Sequence, residues 1–440
     1  MSKNFSQDMA YMQAKFKTMP IADIVDYLKT LPEEERTIAL TLLDKDNLAQ
    51  VFSQFNAQER EAVLERLSQP AIKALIDELD LDDLVDVLQE LPANMVASLL
   101  GHVAVDKRPI INHLLHYPND SVGSLMNTDY VAVKAHQSKS EILAKIQNSP
   151  ANPEHLHTIF IVDEERSLVG YLYLADLVRW REEAITELIQ WNPISIWTRA
   201  DREEAAQLFQ KHFLLSLPVR DTENRLVGLI TADDMFEVIA EEIHEDYSLM
   251  QGMGATDKPY LDLSVFTLAR KRVVWLLLLM LSATVTGAII DRYEAVLAST
   301  VALASYIPML MDSGGNSGSQ SSTLIIQSLA LNEISRADSL KVLWKEFRVG
   351  LMVGGSLAIV NFLRMMLLTG DGVMISLVVS GTLLFTIVLA KLVGGILPIL
   401  AKYLKQDPAV MAGPLVTTVV DACALVVYFQ IASHFLGLGS

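Results

Sequence analysis

The run DPAVMAGPLVTTVVDACALVVYF places Asp421 in the middle of an apolar stretch, with no basic residue nearby in sequence. A carboxylate at the centre of a membrane helix costs about 2.5–3.5 kcal/mol on insertion scales, so it must face water or a partner. On a helix, Gly413, Thr417, Asp421, Ala424 and Tyr428 share one stripe. That stripe is small or polar, while Val416, Val419, Val420 and Val426 leave much of the remainder apolar. A cation pathway accounts for both features. The competing chemistry is a protonated Asp bonded to a neighbouring helix.

A second set of carboxylates is crowded rather than alone. Between Leu226 and Lys258 there is no Lys or Arg, and residues 233–246 hold seven acids: Asp233, Asp234, Glu237, Glu241, Glu242, Glu245 and Asp246. Phe236, Ala240, Ile243, Tyr247 and Met250 form an apolar stripe at helical spacing. Asp80, Asp82, Asp83 and Asp86 cluster further upstream, with Asp82 and Asp86 one turn apart as a repulsive pair. Divalent cations bridging such carboxylates would turn repulsion into attraction and make a two-state element. A solvated linker helix is the plainer reading of the charge run.

The lone carboxylate needs membrane helices to hold it. Five stretches are long and apolar enough, at about 20 residues, to cross a bilayer: 273–290, 295–331, 349–368, 373–400 and 408–435. Arg270, Lys271 and Arg272 precede the first. Arg336, Lys341, Lys345 and Arg348 separate the second and third, and Lys402 and Lys405 the fourth and fifth. The other side offers only Arg292 in its loops, so the N-terminal part is expected in the cytosol and the C-terminus outside. Arg364 and Lys391 are expected to snorkel to headgroups. In the second stretch, Pro308 and the run SGGNSGSQSST should weaken the helix and free backbone oxygens suited to hard cations. Gly354-Gly355 and Gly394-Gly395 fit close helix packing.

Composition agrees with this division. From Arg270 onward there are 12 Lys/Arg and 9 Asp/Glu, so the chain's net −18 places −21 on residues 1–269. An acidic domain of that kind repels a phosphate backbone, which argues against nucleic-acid binding. Cys423 is the only cysteine, excluding an intrachain disulfide and a Cys-based zinc site. The first residues, MSKNFSQDMAYMQAKF, lack the apolar core of a signal peptide. The pairs His113/His116 and His155/His157 lie in no metal-hydrolase motif, and no P-loop is present, so an enzyme is not expected.

The acidic part contains two repeats. Residues 24–32, IVDYLKTLP, return 60 residues later as LVDVLQELP at 84–92, with a weaker copy at 48–56, which implies a small helical superhelix. Ile161-Val162-Asp163, Leu168-Val169-Gly170 and Asp176 return after 58 residues as Val219-Arg220-Asp221, Leu226-Val227-Gly228 and Asp234, alternating strands with helices. With GLITADD ending at Asp234, this second region resembles a pair of CBS domains. That resemblance makes Thr231 and Asp234 candidates to hold the ribose of an adenine nucleotide such as ATP. Tyr173 stands where the first copy would need Ser or Thr.

Nearly the whole chain resembles the MgtE family of magnesium channels. The most specific matches are Pro308 with Ser313-Gly-Gly-Asn-Ser-Gly-Ser-Gln320, and Asp407-Pro-Ala-Val with the run from Gly413 to Asp421. The implied architecture is multidomain α and α/β. It comprises an all-α superhelical N domain (1–119), tandem CBS α/β domains (120–180 and 181–240), an acidic connecting helix (233–262) and a five-helix transmembrane domain (263–440). The resemblance further implies a homodimer in the lipid bilayer with a pore on its axis, where Asp421 of each protomer holds a hydrated Mg2+. Gly314, Gly315, Asn316, Gly413, Pro414, Thr417 and Thr418 would line it. Cytosolic Mg2+ would close it through Asp82 and Asp86 facing Asp234, Glu237, Glu242, Glu245 and Asp246, with the connecting helix as plug. Lys211-His212 and Ala200-Asp201-Arg202 stand where more acid is expected, and Ala424 where glycine is frequent. Two other functions compete: a counter-ion-coupled carrier of Mg2+, Co2+, Ni2+ or Mn2+, and a membrane-anchored nucleotide sensor without transport.

Overall fold

The computed structural model describes residues 3–149, 151–254, 256, 260–411 and 413–436. The chain divides into two compact units, residues 1–239 and 240–440.

The first unit opens with short amphipathic helices, among them α1 (Ile21–Lys29), α2 (Lys45–Ser53) and α3 (Leu81–Glu90). Ile24, Val25 and Leu28 are the buried face of α1, and Leu84, Val85 and Leu88 that of α3, so the 60-residue repeat is one helical face used twice. The proline closing each copy, Pro32 or Pro92, caps the start of the next helix. Lacking an N–H, it loses nothing there.

Two small sheets follow. The first orders β1 (Ala132–Val133), β2 (Thr158–Val162), β3 (Leu168–Tyr173) and β4 (Gln190–Trp191); the second orders β5 (Ile196–Trp197), β6 (Ser216–Arg220) and β7 (Leu226–Thr231). In each, a parallel strand flanks an antiparallel hairpin, with Thr158 opposite Tyr173 and Ser216 opposite Thr231. Both hairpins also carry a register shift at equivalent places, after Ile161 and after Val219. The 58-residue repeat is therefore a repeat of backbone geometry, irregularity included.

Helix α4 (Ala232–Met250) carries the seven acids. Its expected apolar stripe is corrected by the structure: Phe236, Ile243 and Tyr247 are 72%, 64% and 60% exposed. Met235 and Val238 take the buried face instead, because they turn toward the core that β6 and β7 supply.

In the second unit the long helices are α5 (Val265–Arg292), α6 (Ile307–Ala330), α7 (Ser339–Leu368), α8 (Val373–Tyr403) and α9 (Gly413–Leu436). Among the described residues, four helical stretches, Val265–Arg292, Arg336–Leu368, Val373–Tyr403 and Pro408–Leu436, are long and apolar enough to cross a membrane. The second apolar stretch is divided: a short helix (Glu294–Ser299) and a 3-10 segment (Val301–Tyr306) precede α6. Contrary to the expected weakening, α6 is an unbroken helix through Ser313–Gln320. Its glycines are spent on proximity: a Cβ at Gly314 would strike Thr386 and Val420, at Gly315 Thr417, and at Gly318 Val416, all within 2.9 Å. Small residues let helix backbones approach this closely in a membrane bundle. Gly354 and Gly394 behave the same way, Gly394 lying directly against the Gly318 backbone.

Candidate cation sites

In the first unit, Asp80 stands at the N-cap position of α3 without a capping side-chain bond, Asp82 and Asp83 lie in its first turn, and Asp86 follows one turn on. The positive end of the helix dipole favours acids there. Asp82 is only 9% exposed and accepts a hydrogen bond from Asn127 Nδ2 at 3.0 Å. Asn127 is itself tied to β7, exchanging two backbone hydrogen bonds with Leu229 at 2.8 and 2.9 Å. Because β7 runs straight into α4, this one residue couples the acids of α3 to those at the start of α4.

The electrostatics record the crowding. Burial, then Asp234, Asp83 and Asp80 in turn, push Asp82 well above the usual carboxylate range. Asp86 is pushed up to about 7 by burial first, with Asp83, Glu90 and Glu237 adding to it and Arg60 opposing. Burial likewise raises Asp234 to about 7, against a hydrogen bond from Thr231 and with repulsion from Asp233 and Asp83. Asp83 is raised mainly by burial, although Ser53 donates to it at 2.6 Å and Arg60 is near. The structure thus brings Asp82 within reach of the charge of Asp234 and Asp86 within reach of that of Glu237, with Asp83 acting on Asp82, Asp86 and Asp234. Among the described residues, no three His, Cys, Asp or Glu side chains stand close enough to hold one ion together. Glu242, Glu245 and Asp246 are half-buried on the part of α4 that belongs to the second unit.

Thr231 is buried, and its hydroxyl donates to Asp234 Oδ2 at 2.6 Å. The cleft between the two sheets opens elsewhere, beside Tyr171, Tyr173, Leu215 and Ser216.

In the second unit Asp421 is half-buried, and its Oδ1 is buried without a hydrogen-bond partner. Gly413 and Thr417 are also half-buried, so the polar stripe is real as far as Asp421. Beyond it the expectation is corrected: Ala424 and Tyr428 are 1% and 0% exposed, with the Tyr428 hydroxyl bonded to Leu303 O at 2.9 Å. The aromatic core around Tyr293 and Phe429 draws that end of α9 inward. Thr417 and Thr418 donate back to Gly413 O and Pro414 O of their own helix, at 2.8 and 3.0 Å. On α6, Gly314 and Gly315 are buried against α8 and α9, while Asn316 is exposed and bonds Asp312 at 3.1 Å. The end of α4 meets the start of α9: a Cβ at Gly413 would lie 3.2 Å from Met250 O. Leu249 and Met250 pack on Ile326 and Ala409.

Sequence reasoning passed over two participants, Asn127 and Glu346, and misplaced a third, Lys391. Asn127 stands in no pattern, and only strand pairing brings it to Asp82. Glu346 is 9% exposed, although in sequence it precedes the apolar stretch 349–368, beside Lys345 and Arg348, where an acid is unremarkable. Lys391 was expected to snorkel but is 5% exposed, because α8 buries it against α7 instead of leaving it free to reach the surface.

Comparison with known proteins is consistent with this geometry. A family described as divalent cation transporter matches residues 307–431, the MgtE intracellular N domain 19–120, and the CBS domain 122–183 and 185–241. These define a membrane transporter of divalent cations with a soluble cytosolic N-terminal part. The magnesium transporter MgtE of Thermus thermophilus is 35% identical over 419 residues, 94% of this chain and 92% of the relative. That of Bacillus subtilis is 29% identical over 415 residues, 94% and 91% of the two chains. The chain belongs to the MgtE family, a family of transporters rather than enzymes, and its transported ion is Mg2+. A crystal structure of the cytosolic domain of the Mg2+ channel MgtE in complex with ATP is similar at TM-score 0.50 and 30% identity, covering 51% of this chain and 93% of that one.

Proposed function

We propose that the chain is a Mg2+ channel, closed by cytosolic Mg2+ at the α3–α4 acids, with Asp421 holding the permeating ion through its hydration shell. The observation that carries the reading is the unpartnered, buried Oδ1 of Asp421 beside Gly413 and Thr417 on one helix face. Magnesium dehydrates reluctantly, so a carboxylate, backbone oxygens and small neighbours suit it better than a tight cage. Asn316, Pro414 and Thr418 complete the lining, and Gly314 and Gly315 bring α6 against α9. Two protomers enclose the pathway. Helix α6 is the fifth span, its Ser, Gly and Asn facing the pathway, the glycine-packed helices or a partner, and the C-terminus lies outside.

Closure follows from the acids. Asp82, Asp86, Asp234 and Glu237 repel one another when metal-free, and bridging Mg2+ removes that repulsion. Glu242, Glu245 and Asp246 extend the site along α4, whose far end packs at the start of α9 and so acts as the plug. ATP has a second place at the CBS pair, where Thr231 and Asp234 would hold the ribose. Their mutual hydrogen bond must open first, so the nucleotide and the cation compete for Asp234.

Uptake into proteoliposomes decides between this and a coupled carrier. Discrete current steps and flux that ignores proton or sodium gradients are expected. Fixed-stoichiometry counter-ion flux would overturn the channel reading.

A further inference from the structure

Two opposite charges are buried inside the helical bundle, away from Asp421. Lys391 lies at least three turns from either end of α8 and Glu346 two turns into α7, at 5% and 9% exposure. Charges so thoroughly buried are costly unless they pair or do a job. The packing around them is reciprocal. A Cβ at Gly395, four residues past Lys391 on α8, would lie 3.1 Å from Glu346 Cγ. A Cβ at Gly350, four residues past Glu346 on α7, would lie 3.5 Å from Lys391 Cβ. Each helix thus opens a glycine notch for the other's charge, and the two charges interact electrostatically.

Both charges then reach a third helix at consecutive residues. Ser321 on α6 donates to Glu346 Oε2 at 2.5 Å, and Lys391 Nζ donates to Gln320 Oε1 at 3.4 Å. One turn earlier on α6, Gly318 is held against Val416 of α9 and the Ala390 carbonyl of α8. We propose that Glu346 and Lys391 are positioning residues, a buried charge clamp that grips α6 at Gln320–Ser321 and sets its approach to α9 and Asp421. This rests on Asp421 lining the ion path. The clamp itself binds no ion: Glu346 spends an oxygen on Ser321, and Lys391 stands close enough to repel a cation.

The test is Mg2+ uptake by the full-length chain in proteoliposomes, with maximal rate and half-saturating Mg2+ measured separately. Glu346→Gln and Lys391→Met should each lower the maximal rate at least tenfold and leave half-saturation within twofold. The double variant, with no uncompensated charge, should recover to within threefold of the native chain, and Lys391→Arg should transport normally. A single variant that fails to insert is judged through the double: recovery of abundance and rate together supports the clamp, and no recovery overturns it. Single variants with native rates overturn it, as does a raised half-saturation in Glu346→Gln, which would make Glu346 a cation ligand. Asp421→Asn is run beside them. If it transports normally, the pathway reading fails; if it is inactive while the clamp variants are native, only the clamp fails.

Discussion

Asp82 is a buried aspartate and Asp421 a half-buried one with a buried oxygen, and their surroundings are opposite. Asp421 has no acid near it in sequence and an oxygen with no partner. Asp82 has a partner in Asn127 and is crowded by Asp80, Asp83 and Asp234. A single carboxylate with a spare oxygen holds one cation weakly and releases it, which is what passage requires. Crowded carboxylates respond steeply, because each bound cation relieves several repulsions together. One arrangement suits conduction and the other suits switching, although the side chains are the same.

The sharpest way to break the comparison is to remove the lone member. Asp421→Ala should lower Mg2+ uptake by at least a hundredfold while leaving Mg2+-induced stabilisation of the first unit unchanged. Transport at more than a tenth of the native rate would show that the crowd, or another group, carries the ion. The converse experiment neutralises the crowd. Asp82→Asn, Asp86→Asn, Asp234→Asn and Glu237→Gln together should leave uptake intact at low Mg2+ and raise the closing concentration at least tenfold. Patch-clamp of the full-length chain over a range of cytosolic-face Mg2+ measures it, and unchanged closure would move the sensor elsewhere.

The two regions were also unequally legible. The crowd sits on repeats, and repeats survive folding: IVDYLKTLP and LVDVLQELP became equivalent helical faces, and the 58-residue spacing carried even the register shift with it. The membrane unit hides its contacts, because lipid-facing and helix-facing apolar residues look alike in sequence. Lys391 could not be told from a snorkelling lysine without knowing that Gly350 stood opposite. The run SGGNSGSQ carries a helix-weakening composition, and packing against α8 and α9 overrode that local preference. The stripe through Asp421 held only until the aromatic core claimed Ala424 and Tyr428.

Acidity sharpens the comparison with a smaller effect. Asp86 and Asp234 titrate near pH 7 when folded, far above an unfolded aspartate at about 4. The folded state therefore binds more protons, so their contribution to stability is full below about pH 4 and lost as pH rises through 7. Between pH 5.5 and 8 the metal-free first unit should lose on the order of 1–3 kcal/mol, or several degrees in Tm. Saturating Mg2+ should flatten the dependence. Differential scanning fluorimetry of the full-length chain in detergent, with EDTA or with Mg2+, reads both. A Tm that rises with pH in EDTA would mean these carboxylates are not crowded in solution.

The smallest effect isolates the link between strand and switch. Asn127 donates to Asp82, accepts from Asp129 N–H at 2.7 Å and holds Leu229 of β7 through its backbone, so Asn127→Ala deletes both side-chain bonds while keeping the strand pairing, and Asn127→Asp, which keeps the acceptor for Asp129, separates the two. A hydrogen bond to a charged partner contributes about 1.5–3 kcal/mol, but in the metal-free state burial and the neighbouring acids push Asp82 well above the usual carboxylate range, disfavouring its charged form. The loss should therefore fall mainly on the ion-bound form, in which Asp82 is charged and the amide helps orient it. The variant is expected to raise the closing Mg2+ concentration about threefold to tenfold, with little change in metal-free Tm and none in uptake at low Mg2+. Equal destabilisation with and without Mg2+ would make Asn127 a packing residue. A changed uptake rate at low Mg2+ would erase the proposed distinction between a crowd that switches and a single acid that conducts.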